Sequence, residues 1–281
     1  MEFLASVIIP VYNQFDSLQK VLKGFMAQSI PPASYEIIVV DDGSTDGLAS
    51  ADECGFNLPN LRLIRQKNSG RAAARNTGIA AAGSDTIVFC DGDRVPAPDF
   101  LEEHIRSHNE PGYAVVGKPM DYFGKAAGFE GDICWDKVAR FSRVPNYFAR
   151  ISKIYINGYT QSRLAWLSFL VGNSSVDKSL LTAAGGFEPV FIEWGFEHFE
   201  LAYRMQQAGC RFKLNINAIN YHLPHPRRKN FYSDMIAKNA LIMKTLHPQI
   251  NIRAMTEIIT REVDVSAYND SILQSKGDEK C

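Results

Sequence analysis

An α/β fold with a mainly parallel sheet flanked by helices is the class this sequence predicts, on three observations. Short apolar runs rich in Val and Ile recur through the first hundred residues, each ends in polar or acidic residues, and helical stretches lie between them. Strands alternating with helices pair in parallel and bury both faces of the sheet.

Each element follows from local pattern. "SVIIPVY" (6–12) reads as a buried strand, and Asp16 and Ser17 can cap the helix in which Leu18, Val21, Leu22, Phe25 and Met26 recur at helical spacing. "YEIIVV" (35–40), the weaker "LRLIRQ" (61–66) and "DTIVFC" (85–90) are further strands, and the Ala-rich "GRAAARNTGIAAA" (70–82) is a helix opened by Gly70. In the second half, "GNSSVDKSLLTAAGGF" (172–187) reads as a loop, a short helix and a Gly-Gly stop. "FEHFELAYRMQQAG" (196–209) is a helix closed by Gly209, and "FKLNINAINYH" (212–222) alternates like a strand. From Lys229 one more amphipathic helix precedes a polar end.

Composition removes several classes. The chain has 281 residues, 46% hydrophobic and 22% charged, with a formal net charge of -1, so no basic face for nucleic acid is implied. The five cysteines (Cys54, Cys90, Cys134, Cys210, Cys281) are widely spaced and include no C-x-x-C, which argues against a disulfide framework or zinc cluster and suits a reducing compartment. The N-terminal run is too short for a signal peptide and no stretch approaches a membrane span; a cytoplasmic protein, at most peripheral on a membrane inner face, is expected. Neither common nucleotide cradle is present. No G-x-G-x-x-G follows the first strand, and the G-K pairs at Gly117 and Gly124 run into Pro119 and Ala126.

Ligands of such sheets bind beyond the carboxyl ends of the strands. Tyr12, Asn13, Asp41, Asp42, Asp91 and Asp93 all follow strand ends and gather at one rim. Asp91-Gly92-Asp93 offers two hard carboxylates suited to Mn²⁺ or Mg²⁺; a plain capped turn is the alternative. Arg71 and Arg75 lie four apart on one helical face near its positive end, which suits a diphosphate, although a solvated basic face is open for Arg75. Residues 137–176 contain no Asp or Glu but carry Lys137, Arg140, Arg143, Arg150, Lys153 and Arg163 among aromatics. That pattern fits a stacked glycan, an anionic acceptor or an anionic membrane surface, or an ordinary lobe.

"VIIPVYNQ", "YEIIVVDDGSTDG", "NSGRAAARNTGI" and "VFCDGD", in that order over about residues 5–105, resemble glycosyltransferase family 2 with its GT-A fold. "GNSSVDKSLLTAAGGFEPVFIEWGFEHFELAYRMQQAG" resembles the acceptor-side block, nearest to the chondroitin-polymerase-like and mucin-type branches. The resemblance covers well over half the chain and leaves out 112–170 and the tail. It implies one GT-A domain with a nucleotide-sugar-binding half (1–110), an acceptor-binding and catalytic half (111–228) and a C-terminal helical tail (229–281). Pro10, Tyr12 and Asp42 fall where the family holds the uracil or other base of a nucleotide-sugar, with Asn13 and Gly92 beside them. Asp91 and Asp93 match the D-x-D motif that holds a divalent metal on the donor diphosphate. His222 or His225 completes the metal site, and Arg227, Arg228 and Lys229 can reach the diphosphate. Where many relatives have Glu-Asp, with Asp as base, this chain has Glu197-His198; Glu197 is preferred to His198, and a retaining reaction using neither stays open. The implied reaction moves a sugar, most simply from a UDP-linked donor with inversion, to a glycan, lipid-linked, peptide or small-molecule acceptor. The rivals are a nucleotidyltransferase and a non-catalytic nucleotide-sugar-binding protein.

Overall fold

The computed structural model describes residues 3–48, 58–129, 131–225, 229–261 and 263–268. The first half is a parallel array. β1 (Ala5–Val11), α1 (Phe15–Met26), β2 (Tyr35–Asp41), β3 (Leu61–Arg65), α2 (Arg71–Ala81) and β4 (Thr86–Cys90) place their strands in the order β3-β2-β1-β4, all parallel. β1 and β2 are buried along their whole length, as strands covered on both faces must be. Successive side chains serve opposite cores: Ile8 packs in the layer of Phe89, Trp166 and Phe199, whereas Val7 and Ile9 join Leu18, Phe25 and Phe100.

Next come β5 (Arg94–Pro96), α3 (Phe100–Ser107), β6 (Tyr113–Tyr122), α4 (Trp135–Arg140), β7 (Ser142–Arg143) and α5 (Asn146–Ile151). They are followed by β8 (Asn173–Asp177), α6 (Lys178–Ala183), α7 (Glu197–Gln207), β9 (Arg211–His222), α8 (Phe231–Leu246) and α9 (Ile252–Thr260). The sheet continues from β4 through β8, β6 and β9 to β5, and β7 pairs with β6 off this path, giving nine strands drawn from both halves of the chain. Here antiparallel pairs (β4–β8, β6–β8, β5–β9) join the parallel β6–β9 pair.

Three local expectations change. Residues 173–177 form a strand rather than a loop, although Asn and Ser are poor strand formers. Asn173, Ser174 and Ser175 are fully buried and satisfied from outside the strand. Ser175 Oγ meets both His104 and His108 at 2.8 Å, and Asn173 Nδ2 donates to the Ala218 carbonyl. Tertiary hydrogen bonding here overrides propensity. The tail carries two helices, α8 and α9, and α8 is anchored by His247 on Glu200 (2.8 Å) and Asn239 on the Trp194 carbonyl (2.8 Å). α3 and β6, unassigned from sequence, complete the sheet and its cover. Cys90, Cys134 and Cys210 are free thiols; Cys54 and Cys281 lie outside the described residues. Among the described residues no helix is long and apolar enough to cross a membrane.

Candidate active site

A cavity of about 990 Å³ opens at the carboxyl ends of β1, β2 and β4. Pro10, Tyr12, Asp42, Arg71, Arg75, Asp91, Asp93, Glu197, His198, His222 and His225 all line it. Asn13 and Gly92 do not, and both shape the rim instead. Asn13, at a positive φ of 52°, accepts from the Thr45 amide and donates its own amide to Ser44 Oγ, tying β1 to the loop after β2. A Cβ on Gly92 would sit 3.2 Å from Val11, so glycine allows the turn to lie close against β1.

On the donor side Asp42 is buried. Its carboxylate accepts from Gln66 Nε2 (2.7 Å), the Ser69 amide (2.9 Å) and the Gly70 amide (2.8 Å). Three of about four acceptor positions are filled, which fixes the carboxylate for a single further donor. Tyr12 is half exposed at the cavity rim. Gly70, φ 89°, lies against the Ile192 backbone and starts α2, which carries Arg71 and Arg75.

Asp91 and Asp93 find different partners. Asp91 Oδ1 accepts from Arg75 Nη2 at 2.8 Å. Asp93 Oδ2 lies 3.5 Å from His222 Nε2 and 3.3 Å from His225 Nε2. One ligand atom from each of Asp93, His222 and His225 falls within 4.8 Å of the others, so the three fit a single divalent cation; Asp91 is not in that group. His222 Nδ1 meets Asp121 Oδ1 at 3.2 Å, the arrangement that fixes the tautomer of a metal-binding imidazole. Burial pulls the His222 pKa down, but Asp121 and Asp93 outweigh it and the net shift is upward. Burial pushes Asp93 up, and His222, His225 and Arg94 reverse this to hold it well below the carboxylate range.

Arg75 joins the two halves of the cavity. It is fully buried and divides its guanidinium between Asp91 and Glu197, whose Oε1 accepts from Nη1 at 2.9 Å. The Glu197 carboxylate is buried and also accepts from the Gly195 amide at 3.1 Å. Burial pushes Glu197 up, but His198, Arg75 and Arg71 hold it far below its ordinary 4.5. His198 is the more open of the pair, with Nδ1 3.8 Å from Glu197 Oε2 and without a hydrogen-bond partner. The chain reaches these residues through Gly195 (φ 107°) and Phe196, a buried aromatic in the left-handed region (φ 67°). Such strain persists only where the surroundings impose it. The buried Asn239 side chain donates to the Trp194 carbonyl, two residues before Phe196, and so ties this turn to α8.

The Glycosyl transferase family 2 profile matches residues 6–169, more than half of the chain. The chain belongs to glycosyltransferase family 2. Among relatives, it is 26% identical to an uncharacterized glycosyltransferase, YfnE, of Bacillus subtilis, over 89% of this chain and 72% of that protein. It is also 26% identical to the chondroitin synthase of Escherichia coli, over 84% of this chain but 37% of that longer protein. The crystal structure of S. aureus TarS 1-349 in complex with UDP-GlcNAc superposes with a TM-score of 0.64 at 19% identity, covering 97% of this chain and 70% of that one. The fold is therefore GT-A and the chain a glycosyltransferase. The family match runs through 112–169, which the sequence motifs leave out; β6 and α5 within it supply cavity residues Asp121 (at the edge of β6), Tyr147 and Phe148.

In this family 2 enzyme the basic residues of 137–176 do not line the cavity; the aromatics Tyr147 and Phe148 do. Arg150 instead donates to the Ile258 and Ile259 carbonyls, and Arg143 lies over the Phe123 ring. Lys229 is not in the lining, and Arg227 and Arg228 lie outside the described residues. Glu200 and Arg204 form the i,i+4 pair their spacing predicts, at 2.6 Å. Sequence reasoning missed Arg94, Trp194, Tyr232 and Asn239. Arg94 directly follows the D-x-D motif and was legible by adjacency; nothing marks a lone asparagine within a helix.

Proposed function

We propose that the enzyme transfers a sugar from a nucleotide-sugar, UDP-linked, to an acceptor hydroxyl with inversion, using a divalent metal. The observation that carries this reading is the Asp93, His222 and His225 group at the same cavity rim as the fixed Asp42 carboxylate and the Tyr12 ring. Asp42 would accept from the base N–H and Tyr12 would stack on it. A Mn²⁺ or Mg²⁺ ion held by Asp93, His222 and His225 would supply Lewis acidity to the departing nucleoside diphosphate. Arg71 adds positive charge at the start of α2, where the helix dipole favours an anion.

His198 is the base this geometry supports, ahead of Glu197. A carboxylate paired to a buried guanidinium and held below its ordinary pKa is a weak proton acceptor, and each of its oxygens already accepts one hydrogen bond. His198 faces the cavity and would take the proton of the acceptor hydroxyl, while Glu197 behind it would stabilise the imidazolium. Arg75 holds Glu197 and Asp91 in fixed relation across the reacting centre. Peripheral membrane association draws support from one corner. There Phe123 (68% exposed) and Phe141 (47%) adjoin through a backbone hydrogen bond, beside exposed Lys125, Lys137, Arg140 and Arg143.

The test is release of nucleoside diphosphate from a panel of UDP-, GDP- and dTDP-sugars with Mn²⁺, Mg²⁺ or EDTA. Metal-dependent release from a UDP-sugar, lost in Asp93→Ala, is expected. Turnover that survives EDTA and Asp93→Ala would overturn the metal assignment; no turnover of any donor would overturn the reading.

A further inference from the structure

Arg94 is a cation whose role the site as described leaves unused. It opens β5 directly after Asp93 and opposite His222 in the β5–β9 register, beside the Asp93, His222 and His225 group. Its side chain is 19% exposed and lines the cavity. Yet Nε and Nη1 are both buried, and neither has a hydrogen-bond partner in the protein. The nearest carboxylate oxygen, Asp91 Oδ2, is 3.9 Å from Nε, too far for a hydrogen bond, and the other oxygen of Asp91 is engaged by Arg75. The guanidinium packs over Gly172, where a Cβ would come within 2.6 Å of both Arg94 Nε and Asp91 Oδ2. Glycine at 172 thus leaves the room the guanidinium occupies.

A guanidinium cannot shed its proton to relieve this. Buried N–H donors without acceptors are costly and rare, and in a binding cavity they mark where a ligand's oxygens belong. The planar fork matches a group presenting two oxygens side by side. We propose that Arg94 is a donor-binding residue that receives an oxygen-rich group of the nucleotide-sugar, either its diphosphate or the sugar it carries. The assignment rests on the nucleotide-sugar reading of the same cavity.

Calorimetry with UDP and with uridine, and the KM for UDP release from the UDP-sugar that the wild type turns over, separate the sources in Arg94→Gln and Arg94→Lys. Thermal unfolding of each variant establishes that it is folded; Arg94→Lys retains the charge and volume should Arg94→Gln fail to fold. If the diphosphate is the partner, UDP affinity falls on the order of tenfold or more while uridine affinity holds. If the sugar is the partner, UDP affinity holds and the donor KM rises by a similar factor. Folded variants with UDP affinity and donor KM both within about twofold of wild type would overturn the assignment. A wild type that binds no UDP and turns over no donor would overturn the nucleotide-sugar reading itself, an outcome visible before any variant is made.

Discussion

Replacing Arg75 with Met removes a cation and leaves its two carboxylates where they are. Arg75 is fully buried, Glu197 is 2% exposed and Asp91 is about a quarter exposed, so water can take over only part of the lost pairing. Breaking a buried pair by removing one partner costs roughly 3–5 kcal/mol. The exposure of Asp91 puts the expected loss near the lower figure, about 3 kcal/mol, or roughly 6–12 °C in Tm. Adding Glu197→Gln removes the stranded charge, and the double variant should recover on the order of 2 kcal/mol relative to additivity. The pairing also sets an acid dependence. The folded-state pKa of Glu197 lies below its unfolded value of 4.5, so its contribution is complete above 4.5 and is lost as pH falls toward the folded value. Arg75→Met should flatten that acid limb. Urea unfolding of wild type, both single variants and the double variant from pH 7 downward reads all three effects. A loss under about 1 kcal/mol, or strictly additive variants, would refute the buried bridge.

Other consequences are separately measurable. His198→Ala should lower kcat by about 10²–10⁴ with UDP affinity unchanged, and His198→Asp, which restores the residue usual in relatives, should recover part of the rate; full activity in His198→Ala would remove it as base. Asn239→Ala should cost about 1–3 kcal/mol and lower kcat with little change in donor KM, because the strained turn at Phe196 loses its brace; an unchanged kcat would make Asn239 purely structural. Burial, with the neighbouring His108, lowers His104 from 6.5 to about 3. Its folded pKa lies below the unfolded one, so stability should fall from about pH 6.5 toward pH 3, by up to about 1.4 kcal/mol per pH unit, and His104→Gln should reduce that slope; an unaltered pH profile would contradict a neutral buried His104. Phe123→Ser with Phe141→Ser should reduce sedimentation with anionic vesicles and leave neutral vesicles unaffected; retention equal to wild type would discard that corner as a membrane contact.

The parallel half of the fold was readable because its strands bury both faces and its helix keeps a regular apolar stripe. "VIIPV" and "EIIVV" can serve little else, and their polar exits collect at one rim by topology alone. β8 was unreadable because its Asn and Ser become strand residues only when His104, His108 and the Ala218 carbonyl arrive from distant segments. The site was legible in its residue types and not in its pairings. Arg75 reads as a surface cation four residues from Arg71, but a contact 122 residues away in sequence buries it against Glu197. That contact buries and pairs Glu197, which the sequence prefers to His198 as the base. The basic stretch 137–176 left a stacked glycan, an anionic acceptor, an anionic membrane surface and an ordinary lobe all open, because composition does not say which side chains turn inward; in the fold Tyr147 and Phe148 enter the cavity and Arg150 donates to the carbonyls of Ile258 and Ile259.

The proposed mechanism requires a divalent ion on Asp93, His222 and His225 that meets the donor's diphosphate. Its most direct test is electron paramagnetic resonance of free Mn²⁺ titrated into the protein with and without UDP. One Mn²⁺ per chain should bind, more tightly when UDP is present, and Asp93→Ala or His225→Ala should abolish it. Binding unaffected by UDP, or retained in both variants, would contradict the account.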